Sequence, residues 1–511
     1  MGARRYWAVV TVALSILFGS WAIASPIGSV PDEYMHYKWG YALWTGQVHA
    51  GTSEYLVPVL FTSNRITCYA FQPTVTPDCD KTLEGQDLDK LVRVGTTANF
   101  YPPAFYALTG WALRIWPNDT GVYVGRLVNA AIVAALLAAC LSLLRSAGFR
   151  ALAFGVLFCV SPMVAFFAGG YNPQALELAF VVAILTSGLV LLHGDPGPAQ
   201  RRFAACYLAL ALVGIGLVRP LGWAWIVVLL GLLALTAPSR LLALRRSVPA
   251  EGSAPGRSRT WALMVGAGAV VGLAAGYAWD KLAAQAPASA PPGPGGGMTM
   301  LKHVVLYLFA RAQAFPQEWV GQTGSLDTPA PVPAVALWYA GLGVLVLIGL
   351  AAASRWLVVA AVGSVLVMAV VTVLMEYRVQ SATGGTLAQG RYVFPLLFAL
   401  ILVTALALDA GGGVLPWRTF PVISGVWVLV QVLDFAQALR RNSYGITGSP
   451  WETPLRWTPP VPIQWLLVAA TFGAVATVVS IVLAHRPSGT TRSDEATAPE
   501  LGSAPAVPLT V

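Results

Sequence analysis

Apolar residues along this chain fall into blocks whose length fits one solvent. A helix needs about 20 mostly apolar residues to cross a bilayer's hydrocarbon core. Twelve segments are candidates: 7–24, 122–144, 151–168, 173–192, 203–218, 221–235, 261–281, 332–351, 356–375, 393–408, 420–435 and 463–484. The two around Arg219-Pro220 are short. The pattern therefore predicts an all-α polytopic membrane protein, a bundle of about 12 transmembrane helices. The first block reads as an anchor rather than a cleaved leader, because Ser25-Pro26-Ile27 is a poor cleavage site.

The polar stretches between blocks are unequal. Connections on one side are short, or low in complexity, as at 247–259 and in the tail 485–511, which the composition predicts to be disordered and cytoplasmic. Connections on the other side are long: 25–121, 282–331, and two shorter ones after Glu376 and Asp434. The run 286–297 is rich in Pro and Gly and reads as a hinge or lid. The spacing of Tyr34, Tyr37, Trp39, Tyr41 and Trp44 predicts a helix lying at the membrane interface. One domain over 1–484 carries all the spans, and no internal repeat is evident.

Charge orients the bundle. Arg4 and Arg5 precede the first span and place the N-terminus inside. Alternation then puts 15 basic and six acidic residues on that side, so the whole formal charge of +9 is cytoplasmic. Arg440 and Arg441, outside in this scheme, are the exception. The basic balance thus reports orientation and gives no reason to infer nucleic-acid binding. Hydrophobic residues make up 57% and charged residues 10%, with mean hydropathy +0.67, against roughly a quarter charged in soluble chains. Arg outnumbers Lys 26 to 5, which suits a GC-rich bacterium, and the expected location is the bacterial plasma membrane with both termini cytoplasmic. Cys68 and Cys79 share the first outer loop, where a disulfide is expected; Cys140, Cys159 and Cys206 lie in spans and read as packing residues.

Candidate chemistry lies on the outer face. Pro26 and Pro31 break the first helix, and Pro31 could open a second one with Asp32 and Glu33 in its first turn. Asp32 and His36, four apart, would share a face. The two acids could simply favour a helix start, or one could act as general base on a hydroxyl with the other or His36 tuning it. Three further segments are polar where lipid-facing sequence would not be. Gly169-Gly170-Tyr171-Asn172-Pro173 is either a turn or a substrate contact at Asn172. The segment 311–328, with Arg311, Glu318 and Trp319, mixes polar and aromatic groups of the kind that bind sugars, or forms an amphipathic helix and turn. Gln389-Gly390-Arg391-Tyr392 leads into the tenth span, where Arg391 could snorkel or grip a phosphate through its planar fork.

Pro31-Asp32-Glu33-x-x-His36, Asn172-Pro173, Gly324-x-Leu326-Asp327 and Gln389-Gly390-Arg391-Tyr392-x-x-Pro395 together resemble the bacterial membrane-protein family of unknown function DUF2142, over about residues 5–440. That family resembles the GT-C glycosyltransferases, which have many spans and a catalytic Asp or Glu in the first outer loop. The resemblance implies transfer of a sugar from a polyprenyl-phosphate donor to a cell-envelope glycan or glycolipid acceptor. Asp32 would be the base and Glu33 its rival. The leaving phosphate would meet positive charge from Arg391, Lys302, His303 or Arg311, while His36, Asn172, Glu318, Trp319, Gln389 and Tyr392 would contact substrate. Metal dependence, on Mg or Mn, stays open. A transporter or flippase, and a polymerase or ligase of lipid-linked saccharides using Arg378, Arg391, Arg440 and Arg441, are the competing readings.

Overall fold

A computed structural model describes residues 2–48, 52, 54–240, 257–283, 297–411, 415–449 and 455–486. The expected disordered tail and most of the 247–259 and 286–297 segments lie outside these residues. Among those described, ten helices are long and apolar enough to cross a membrane. The chain is a multi-pass, all-α membrane protein.

The early helices are α1 (Ala3–Ala24), α2 (Glu33–Trp44), α3 (Ala104–Thr109), α4 (Trp111–Ile115), α5 (Asp119–Ala147), α6 (Ala151–Cys159), α7 (Pro162–Ala168), α8 (Gln174–His193), α9 (Pro198–Val218) and α10 (Gly222–Thr236). Long helices follow at Arg257–Ala283, Val332–Ala352, Arg355–Thr383, Phe394–Ala410, Thr419–Tyr444 and Ile463–His485. The third expected span is not straight. It breaks between α6 and α7 with a bend of 65°, because Pro162 has no amide hydrogen to continue the ladder. At the break the Val160 carbonyl accepts from Trp427 Nε1 at 2.8 Å and Gln431 Nε2 at 2.7 Å, side-chain donors that replace a ladder amide. The sixth expected span, α10, has only 15 residues.

α8 and Phe394–Ala410 form the centre of the bundle, and α1 is clasped between α5 and Ile463–His485. Small residues permit that clasp. A Cβ on Gly473 would stand 2.7 Å from Leu17 N and 2.8 Å from Ala13 O, a backbone approach typical of membrane helix pairs.

Where α1 ends, one guanidinium gathers the chain. Arg126 of α5 is fully buried and donates to the carbonyls of Ala22 (2.9 Å), Ser25 (2.7 Å) and Pro26 (2.9 Å). Its Nε and Nη2 also meet Glu33 Oε1 at 2.7 Å and Oε2 at 2.5 Å. Glu33, equally buried, accepts in addition from the amides of Gly28 and Tyr171, each at 2.8 Å. The knot unites the end of α1, the 25–32 turn, the start of α2, α5, and the segment joining α7 to α8.

The first long loop is folded. β1 (Glu54–Pro58) pairs antiparallel with β2 (Leu91–Gly95), Cys68 and Cys79 form a disulfide, and Arg65 grips Asp119 through two bonds of 2.7 and 3.0 Å. Arg441, awkward in the charge pattern, is buried. It donates to Val75 O at 3.0 Å, Tyr69 O at 2.9 Å and Asp327 Oδ2 at 2.9 Å, so it is loop glue rather than exposed charge. The aromatic helix is present as α2, but Tyr37, Trp39 and Tyr41 are buried among protein. The loop covers what the spacing placed at the lipid interface.

Replacing Arg126 with Met would leave Glu33 charged and uncompensated in the interior, at a cost of roughly 3–5 kcal/mol. The expected outcome, in thermal unfolding of detergent-purified protein, is a large fall in midpoint that no exposed-arginine change such as Arg114→Met reproduces.

Candidate active site

Asp32 does not enter a helix as the sequence suggests. It precedes α2 with φ 61°, a left-handed conformation that costs a non-glycine residue roughly 1 kcal/mol or more. The surroundings enforce it: Asn172 Nδ2 holds Pro31 O at 2.8 Å, and the Arg126–Glu33 knot fixes the next residue. Adjacent acids are thereby driven apart. Glu33 points inward and is saturated, whereas the Asp32 side chain is 57% exposed.

The Asp32 carboxylate faces Arg391, whose Nη2 lies 3.4 Å from Oδ2. Arg391 sits in a short 3₁₀ turn, Gly390–Val393, ahead of Phe394–Ala410. Its Nε donates to Gln389 Oε1 at 2.6 Å and its Nη2 also reaches Tyr392 OH at 3.2 Å. The guanidinium lies over the rings of Phe167 (5.4 Å) and Tyr392 (5.0 Å), which orient it. Gln174 Nε2 binds the Arg391 carbonyl at 3.0 Å.

A second arginine, absent from the sequence expectations, completes the site. Arg219 occupies the break between α9 and α10, beside Leu221 at φ 60°. Its Nε is 2.9 Å from Glu177 Oε2, and its guanidinium stacks on Tyr101 at 5.6 Å and Tyr392 at 5.8 Å. The Tyr392 ring thus serves both cations. From Arg219 a cavity of ≈ 210 Å³ runs between α10 and Arg355–Thr383, lined by Leu221, Ala224, Trp225, Val228, Val371, Leu374 and Met375, with Glu177, Arg219 and Tyr392 at its polar end. The sequence signal was a charged residue between two short apolar blocks.

Other expected contacts have different surroundings. Glu318 accepts from Arg311 Nη2 at 2.5 Å and from the Gly390 amide, while Trp319 Nε1 donates to Gly390 O at 3.0 Å and Arg311 Nε to Ala388 O at 2.8 Å. These three side chains hold the backbone that presents Arg391. Glu376, buried, accepts from the amides of Leu387 and Ala388 and does the same from the other side. Lys302 and His303 are exposed on the helix Met298–Arg311, away from these hydrogen bonds. Two Asp-x-Asp sequences, Asp78-Cys79-Asp80 and Asp87-Leu88-Asp89, do occur in the first loop. Neither assembles a site: among the described residues no three His, Cys, Asp or Glu side chains gather so as to hold a metal ion.

His36 is buried, with Nδ1 2.7 Å from Tyr106 OH and its ring edge-on to Tyr101 at 4.9 Å. Burial, aided by Arg219 and Arg391, holds its pKa down to about 3 against the nearby Asp32 charge, from 6.5 when free. The imidazole is therefore neutral in the folded protein. Between these two values the unfolded chain binds the extra proton, so stability falls as pH drops from 6.5 towards 3. In unfolding midpoints measured at pH 7.5 and pH 5, His36→Gln should show a smaller acid-dependent drop than the unaltered protein.

The model of the family described as "Predicted membrane protein (DUF2142)" matches residues 15–400, which include Asp32, Arg126, Glu177, Arg219 and Arg391. None of the curated proteins matches the sequence. Among solved structures, similarity is found to ArnT from Cupriavidus metallidurans bound to undecaprenyl phosphate, at 14% identity and TM-score 0.40 over 94% of this chain and 76% of that one. The Archaeoglobus fulgidus oligosaccharyltransferase tethered with an acceptor peptide aligns at 12% identity and TM-score 0.37, over 87% of this chain and 56% of that one. With most of its length matched by the family model, the chain belongs to the predicted membrane protein family DUF2142.

Proposed function

We propose that this protein is a membrane glycosyltransferase that moves a sugar from a polyprenyl-phosphate donor to a cell-envelope glycan or lipid acceptor. The observation that carries the reading is the pairing of an exposed Asp32 with Arg391 at 3.4 Å, beside an apolar cavity whose polar end holds Arg219 and Tyr392. The face bearing the two long loops is then the outer one, with both termini in the cytosol.

In this reaction the acceptor hydroxyl gives its proton to the Asp32 carboxylate as its oxygen forms a bond to the anomeric carbon. The bond from that carbon to the phosphate oxygen breaks, and its electron pair leaves with polyprenyl phosphate. Arg391 and Arg219, already fixed by stacking and hydrogen bonds, meet the developing phosphate charge without reorganising. The isoprenoid end suits the apolar cavity. Asn172, Gln389, Glu318 and Trp319 act by holding the segments that carry Asp32 and Arg391. Glu33 is fully committed to Arg126 and two amides, which favours Asp32 over it as base. Among the described residues no metal set is formed, and no step is assigned to one.

Two observations favour this reading over the alternatives. Of the four arginines a ligase reading draws on, Arg441 is buried against carbonyls and Asp327. Glu177, a carboxylate within a span, is paired with Arg219.

General-base catalysis contributes roughly 100- to 10,000-fold in rate. Asp32→Asn should therefore lower sugar release from a panel of polyprenyl-phosphate sugars by that order while expression and unfolding midpoint stay unchanged; near-normal turnover would overturn the assignment. Arg219→Gln should raise the KM for the lipid-linked donor and leave that for the acceptor unchanged.

A further inference from the structure

The end of the bundle farthest from Asp32 carries its own hollow. It is a groove of ≈ 750 Å³ between α1, α5 and α9. Arg4 and Trp7 form one wall, Phe203 the other, and Ala135, Ala139 and Ser142 lie along the floor. The small floor residues recur every four or three positions and so share one face of α5. Trp7 and Phe203 are 41% and 45% exposed. From Ser146, at the helix end, to Ala135 the groove runs about 16 Å at the α-helical rise. That is close to half of the roughly 30 Å hydrocarbon core, the depth of a single leaflet.

The mouth is electropositive. Arg4 lines it, and a neighbouring hollow, sharing Ala199, is lined by Arg201 and Arg202 with Asp195 and Trp261. Among the described residues, Arg201 pairs with Asp195 at 3.5 Å, and no ion pair is formed by Arg4 or Arg202. The N-termini of both α1 and α9 point their partial positive charge the same way. Gln200 secures the α9 end, accepting from Gly197 N at 2.9 Å and donating to Ser146 O at 2.8 Å.

We propose that this groove holds one anionic glycerophospholipid, an acyl chain along α5 and its phosphate between Arg4 and the Arg201-Arg202 pair. The occupant is a lipid because the walls are exposed apolar side chains within a span and the depth is that of one acyl layer. It is anionic because Arg4 at the mouth, Arg201 and Arg202 in the adjoining hollow and two helix N-termini outweigh Asp195, the one acid lining either hollow among the described residues. The site is on the membrane face opposite Asp32 and does not depend on the transferase reading.

The test uses full-length protein, delipidated and then offered phosphatidylglycerol or phosphatidylcholine, with bound lipid counted by native mass spectrometry. The expected result is one retained lipid with phosphatidylglycerol preferred. Each arginine near an anionic headgroup contributes about fivefold, so Arg4→Gln with Arg202→Gln should erase most of that preference while a lipid is still retained. Ala139→Phe, which fills the floor, should abolish retention. A second readout needs no groove-filling variant: phosphatidylglycerol brominated on its acyl chain should quench unaltered protein more than Trp7→Phe, and phosphatidylcholine brominated alike should not. Equal retention of the two lipids, retention unchanged by Ala139→Phe, or no Trp7-dependent quenching would each overturn the proposal. So would a dimer that excludes lipid from this face.

Discussion

Everything on the loop face depends on the burial of one charge pair. Arg126 enters a region with no water to solvate it, and such an ion is tolerated only when its donors are all used. Its five bonds meet that condition, three to the last carbonyls of α1 and the turn after it and two to Glu33. Those carbonyls are the groups a helix end leaves unsatisfied. The same interaction thus terminates the first span, aims the chain into α2 and, through the Tyr171 amide, fixes where α7 gives way to α8.

The strained backbone of Asp32 follows from this arrangement. Two consecutive acids cannot both be buried against one arginine, and the positive φ turns Asp32 outward while Glu33 stays in. Rigid neighbours then meet it from the far side. Arg391, Arg219 and Tyr392 form a stacked group whose backbone is held by Gln174, Glu318, Trp319 and Glu376. A carboxylate and two guanidiniums thereby share one small volume with little freedom to collapse on each other.

Much of the fold was legible in the sequence because the bilayer imposes a length on every apolar block. The broken third span lay inside a block of the expected size, and α10 inside one already read as short. The tertiary roles were not legible. Nothing local distinguishes Glu33 from Asp32, or tells that Glu318 and Trp319 bond to the Gly390 backbone, since their partners lie 71 to 359 residues away. Aromatic spacing at 34–44 predicted the helix but not its cover, which comes from Tyr55, Phe61 and Tyr106 of the first long loop. Arg126 and Arg219 were readable in principle. Each is a charge set in or beside an apolar run, and such a charge demands a partner.

The clasp of α1 by Ile463–His485 also bears on how the chain is made. A polypeptide enters the membrane in order, so α1 is inserted first, yet the helix that seats Gly473 against Leu17 and Ala13 is among the last to arrive. Arg391, which faces Asp32, is separated from it by 359 positions. Until those segments follow, α1 has one flank uncovered and Asp32 has no arginine opposite it. The site is whole only when segments far apart in the chain have closed on one another.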